Sequence, residues 1–157
     1  MRNYKKLPIC TIAIAAANVL IFLGLSFMGM TEDSAFMMEH GAMYVPYLMN
    51  GERYYTLITS MFLHFGFSHL MNNMVMLLVI GYSLEPEIGK IRFLLIYLGS
   101  GLMGNLVSAW FDVSQGSYAV SAGASGAIFG IVGALLYVAI REGGRTVGSG
   151  RVATIIE

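Results

Sequence analysis

The sequence predicts an all-α, polytopic membrane protein, and three observations carry that prediction. The chain is 57% hydrophobic and only 11% charged, whereas an ordinary soluble domain is about a quarter charged. Its charges are punctuation. None falls between Leu7 and Thr31, Tyr54 and Leu84, Phe93 and Phe111, or Val113 and Ile140. The mean hydropathy of +0.70 is more apolar surface than one soluble core absorbs, whereas a bilayer accepts it. About 20 apolar residues cross about 30 Å of hydrocarbon. Four helices follow, at about 8–30, 67–84, 93–111 and 125–141, in a single domain over residues 1–157.

The first helix has the basic start of a secretory signal (Arg2, Lys5, Lys6) and an Ala15-Ala16-Ala17 run. Its apolar stretch continues through VLIFLGLSFMGM, beyond the roughly 7–15 residues of a signal, so a retained span is expected. A long loop from Thr31 to about Phe67 follows, and its stretch YTLITSMFLHFGF is expected to lie half-embedded at the interface. The second and third helices come next, joined by a short charged turn. The loop DVSQGSYAVSAG leads into the fourth helix. The tail EGGRTVGSGRVATIIE is expected to be a cytoplasmic loop that breaks off before a further helix.

With the N-terminus in the cytoplasm, the inner segments hold Arg2, Lys5, Lys6, Lys90, Arg92, Arg141, Arg145 and Arg151, and the outer ones only Arg53. Eight against one is a decisive positive-inside bias. A multi-pass protein of the cytoplasmic membrane is therefore expected, with the lipid bilayer as its first partner. The net charge of +0 gives no electrostatic basis for binding nucleic acid. Cys10 is the only cysteine, which excludes an intrachain disulfide and any cysteine-based metal site. No metal or other cofactor is implied.

Three polar residues fall at hydrocarbon depth. His69 lies 16 residues before Glu85, and Ser125 lies 16 before Arg141. At 1.5 Å per residue each sits about 24 Å above the inner charged edge. Asn73, at i+4 from His69, is on the same helix face, one turn deeper. A helix that starts at Ser125, inside the membrane, leaves irregular backbone above it, tolerated only against protein or a water-filled cavity. The small residues of SAGASGAIFG suit that packing. The head of the helix offers free N–H groups and a positive dipole end, which favour a developing oxyanion.

Plainer roles exist for each. A Ser at a helix start is commonly an N-cap. His and Asn at i, i+4 serve as interhelical hydrogen-bonding groups, and Gly126-xxx-Gly130 and Ser100-xxx-Gly104 are small-residue packing spacings. His64 and Ser68 fall at the loop–helix junction, where a structural role is expected, and His40 is expected to be solvated. What favours function is three such groups at one depth, since intramembrane ionisable residues are rare and lean functional.

The stretches ITSMFLHFGFSHLMNNM (58–74), LEPEIGKIRFLLIYLGSGLMGNLVSAW (84–110) and SAGASGAIFGIVGALL (121–136) resemble the rhomboid family of intramembrane serine proteases. The resemblance covers about Gly51 to Arg141. HxxxN on one helix, followed by GxSG opening a later one, is specific. The resemblance implies a six-helix bundle of which this chain holds four, lacking the fifth and sixth. It implies Ser125 as nucleophile, with His69, Asn73 and the Ser125 N–H as oxyanion donors. Gly123 and Gly126 flank the nucleophile, Phe129 takes a position where an aromatic packs on the catalytic His, and His64 is structural. It also implies transmembrane protein substrates, cut near their outer end by acyl transfer.

Two features depart from the family pattern. Tyr55-Thr56 stand where Trp-Arg is common, with Arg53 nearby, which puts the loop's Arg contact in doubt. The family's general base is a His on its sixth helix, yet all three histidines here precede Ser125. No Lys, Asp or Glu lies at Ser125's depth. The alternative is therefore a non-catalytic, rhomboid-like pseudoprotease that binds transmembrane helices. A channel or transporter component is disfavoured because no span contains a carboxylate. In a chain lacking two helices, the third and fourth are expected to expose Gly-rich, polar faces to lipid.

Overall fold

A computed structural model describes residues 7–156, with side chains through Arg141. Four long helices form the bundle: α1 (Ile9–Met28), α5 (Gly66–Ile88), α6 (Lys90–Gln115) and α7 (Ser125–Ile156). Between α1 and α5 lie the short helices α2 (Ser34–Glu39), α3 (Val45–Met49) and α4 (Thr56–Thr59), followed by a 3₁₀ turn, Ser60–Phe62. One two-stranded pairing departs from a purely helical fold. Strand β1 (Met43–Tyr44) runs antiparallel to β2 (Val120–Ser121), with Met43 opposite Ser121. It staples the first outer segment to the loop that precedes α7.

Three of the helices, α1, α5 and α6, are long and apolar enough to cross a bilayer, and the apolar part of α7, Ser125–Arg141, is shorter. Helices α5 and α6 outrun the charge-free windows because charged residues occupy their terminal turns, whereas α1 stays within its window. Helix α5 continues past Glu85 and Pro86 and stops at Gly89, whose φ of +85° breaks the helical run. Helix α6 begins at once with Lys90 and ends at Gly116, a left-handed C-cap with φ of 63°. The tail expected as a loop is instead helical through Ile156. It contains no proline, and each glycine costs a helix only about 1 kcal/mol relative to alanine.

The core gathers Phe22 from α1, Met61 from the 3₁₀ turn, Leu70 and Leu77 from α5, Phe93 and Tyr97 from α6 and Ile131 from α7. Helices α6 and α7 pack through their small residues. A Cβ on Gly104 would lie 3.4 Å from the Gly126 Cα, and one on Gly101 would lie 3.1 Å from the Ala127 Cβ. The Ser100 hydroxyl, donating to the Ile96 carbonyl of its own helix at 2.6 Å, is 3.2 Å from the Ala127 carbonyl of α7. Of the glycines expected to face lipid, Gly101, Gly104 and Gly126 instead face each other and Gly130 packs on Ser100, while Gly99 and Gly133 are exposed; close backbone approach recovers dispersion contacts that missing side chains forgo.

Helices α1 and α5 meet through a buried carboxylate. Glu85 is 2% exposed and accepts the Cys10 N–H at 3.0 Å, the Thr11 N–H at 2.8 Å and the Thr11 hydroxyl at 2.8 Å. Pro8 opens α1 and offers no side-chain cap, so Glu85 satisfies orphan donors of that helix from a neighbouring one. Its charge also faces the positive dipole end. One turn along α5, Gly81 packs on the Thr11 side chain.

Candidate active site

The site begins with the loop Ala122–Ala124. Gly123 has φ of +134°, a backbone state that glycine alone adopts freely. Its N–H donates to the Ser60 carbonyl at 2.9 Å. The next N–H, on Ala124, reaches His64 Nε2 at 3.5 Å. Both anchors belong to the segment just before α5, so that segment sets the height at which α7 begins. Ala124 is buried and Ser125, the first residue of α7, is exposed.

His69 and Asn73 come from the first turns of α5 and flank the same loop. A Cβ on Gly123 would fall 2.8 Å from His69 Cε1, 2.9 Å from His69 Nε2 and 3.9 Å from Asn73 Nδ2. The loop thus lies directly against the imidazole edge, and only a residue without a side chain fits. Asn73 also donates to the His69 carbonyl at 3.1 Å, the i, i+4 relation expected of them. His69 and Asn73 thus meet the loop at Gly123, two residues before Ser125.

His64 lies at the loop–helix junction, 1% exposed. Its ring meets that of His69 edge-on, with centroids 5.2 Å apart. Burial first, and the adjacent His69 second, push its pKa down to about 4, while the Phe62 carbonyl pulls weakly the other way. The ring is therefore neutral at pH 7. For Nε2 to accept from Ala124, the proton must sit on Nδ1, which is buried and, among the described residues, lacks a partner within hydrogen-bond geometry.

The remaining expected residues separate from this group. Gly126 faces Gly104 and Gly101 in the helix interface. Phe129 is 75% exposed. His40, expected in solvent, is half-buried; its Nδ1 lies 2.7 Å from the Phe36 carbonyl, and its ring rests on Phe36 at 4.1 Å. The loop's arginine contact exists after all. Arg53 donates to the Met38 carbonyl at 3.1 Å and sits 4.4 Å over the Tyr47 ring.

Two residues that support the site escaped the sequence reading. Asn105, on α6, donates to the Leu57 carbonyl at 2.8 Å and to the Ser60 hydroxyl at 2.9 Å. Ser60 in turn holds Gly123. Asn105 was visible as a carboxamide inside an apolar span, the same signal that singled out Asn73. Ser60 gave no signal, because it acts through its backbone carbonyl.

Ser125 thus stands at the exposed head of α7, two residues after a glycine that packs on the His69 imidazole and lies near the Asn73 carboxamide. Its setting in a membrane-type bundle defines the class. A profile of the Rhomboid domain matches residues 51–149, more than half of the chain. Over 152 residues the chain is 38% identical to the rhomboid protease GluP of Bacillus subtilis (strain 168), a match covering 95% of this chain and 29% of that protein. It is 54% identical over 86 residues to RHOMBOID-like protein 5 of Arabidopsis thaliana, covering 55% of this chain and 27% of the relative. RHOMBOID-like protein 1 of the same plant is 40% identical over 96 residues, covering 61% and 24%. The chain therefore belongs to the rhomboid family and is a helical, polytopic integral membrane protein. It spans less than a third of the length of these relatives.

Proposed function

We propose that this chain is part of a rhomboid-type intramembrane serine endopeptidase in which Ser125 is the nucleophile. The observation that carries the proposal is the loop contact at Gly123, where His69 and Asn73 flank the turn that ends in Ser125. Attack by the Ser125 Oγ on a peptide carbonyl forms a tetrahedral oxyanion. His69, Asn73 and the Ser125 N–H are the donors available to it, the last aided by the dipole of α7. Collapse expels the amine and leaves an acyl-enzyme, which water then cleaves.

Ser125 needs a base. His64 is engaged by the Ala124 N–H, and His69 is assigned to the oxyanion. The base we assign is a His in a part of the protein outside these residues, as the family resemblance implies. The substrate is a transmembrane protein, cut near its outer end, where helix-breaking residues let the chain unwind into the sunken site. The eight-to-one basic asymmetry supports a cytoplasmic N-terminus, in the cytoplasmic membrane.

The test is fluorophosphonate labelling of the full-length protein in its membrane. Labelling that disappears in Ser125→Ala supports the assignment, and labelling that survives it overturns the nucleophile. A second reading keeps the rhomboid membership without the catalysis. In that reading the protein is a pseudoprotease that holds transmembrane helices without cutting them. Membrane clients that co-purify uncleaved with the native full-length protein would favour it; a cleaved client would end it.

A further inference from the structure

The far end of the bundle from Ser125 carries a feature that proteolysis does not use. An open cleft of about 660 Å³ lies between the start of α1 and the α5–α6 turn, lined by Leu7, Ile9, Glu85, Ile88, Lys90 and Arg92 among others. We infer that this cleft is a binding site for an anionic phospholipid. Its phosphate would sit against Lys90 and Arg92, and its acyl chains would run down along Ile9 and Ile91.

Charge and position carry the inference. Lys90 and Arg92 are both exposed at the cleft. The one carboxylate in its lining is already committed, since both Glu85 oxygens accept from Cys10 and Thr11 at the head of α1. Among the described residues, the lining sets two exposed cations against one buried carboxylate that is turned to the head of α1. Ile91 between them is 75% exposed, Leu7 68% and Ile9 52%. Paired cations and bare aliphatic side chains meet at the turn where α5 ends and α6 begins, between two helices long and apolar enough to cross a bilayer. A soluble phosphate would leave those aliphatic groups uncovered, whereas a phospholipid satisfies both halves of the lining. Basic pockets between transmembrane helices take anionic headgroups in this way.

The test is native mass spectrometry of the full chain in detergent, titrated with dioleoyl-phosphatidylglycerol. The expected result is a retained lipid whose affinity falls about tenfold or more in K90Q/R92Q, with phosphatidylcholine binding weakly throughout. That loss corresponds to about 1.4 kcal/mol. Arg141→Gln, which removes a cation outside the cleft, should leave the affinity unchanged. Equal affinity for phosphatidylcholine, or no loss in the double variant, overturns the site. Displacement of the lipid by millimolar inorganic phosphate shows an anion site rather than a lipid site and also overturns it. A second measurement uses the unaltered protein with a photoactivatable phosphatidylglycerol. Crosslinks should map to Leu7–Ile9 or Pro86–Arg92, and crosslinks confined elsewhere refute the assignment.

Discussion

The backbone of Gly123 lies against the edge of the His69 imidazole, so close that a Cβ there would stand 2.9 Å from Nε2. The contact couples the loop that carries Ser125 to the helix that carries His69 and Asn73. Gly123→Ala meets two penalties, a φ of +134° that disfavours any side chain and the collision with His69. It should destabilise the protein by about 1–3 kcal/mol and move His69 out of register with Ser125. Fluorophosphonate labelling of the full-length variant should slow by at least tenfold. Labelling at the unaltered rate would show that this contact does not position the site.

Much of this arrangement was legible in the sequence. The depth count pairs His69 with Ser125 because helices rise at a fixed 1.5 Å per residue, and the structure lays the loop just before Ser125 against the His69 ring. The Gly/Ala/Ser string announced close packing, and Gly123 packs on His69. Helix ends were less legible, since Glu85 and Lys90 marked the edges of apolar windows rather than the ends of hydrogen-bonding. The α2–α4 segment was read only as a loop. Its helices are four to six residues long, too short for a periodicity to show. Ser60 was invisible because a backbone carbonyl has no sequence signature.

Glu85 joins α1 to α5 through three hydrogen bonds. Glu85→Ala leaves the Cys10 and Thr11 N–H groups without acceptors and should cost about 2 kcal/mol. Glu85→Gln keeps one acceptor oxygen and should cost less. Thermal unfolding in detergent should therefore rank wild type above Glu85→Gln and Glu85→Ala last. If both variants unfold with the wild type, the carboxylate is not the anchor.

His64 predicts a pH dependence. Its pKa falls from 6.5 to about 4 on folding, so between those values the unfolded chain binds the extra proton. The stabilisation is complete above pH 6.5 and is lost as pH falls towards 4, by about 3 kcal/mol in all. Protonation also forbids Nε2 from accepting the Ala124 N–H, so the Ser125 loop loosens in the same window. Unfolding free energies measured from pH 4 to 8 should slope upward in wild type and be flatter in His64→Gln. Parallel profiles would assign the slope to another group.

Deep in the bundle, the Tyr97 hydroxyl of α6 faces the Asn18 carboxamide of α1. Both residues are fully buried. Asn18 Nδ2 is used within its own helix, donating to the Ile14 carbonyl at 2.8 Å. Its Oδ1 and the Tyr97 hydroxyl have no other partner, although the facing pair falls short of full hydrogen-bond geometry. In an apolar interior a donor and an acceptor placed this way attract each other, because each alone is an unsatisfied polar group. Tyr97→Phe should therefore destabilise the protein by about 1 kcal/mol with no change of packing. Asn18→Leu should cost more, because the larger apolar side chain must also repack. The decisive number is the coupling from a double-mutant cycle, expected at about 0.6 kcal/mol for a polar pair between membrane helices. A coupling of zero would mean that the two groups are satisfied separately and that α1 and α6 are held by dispersion alone.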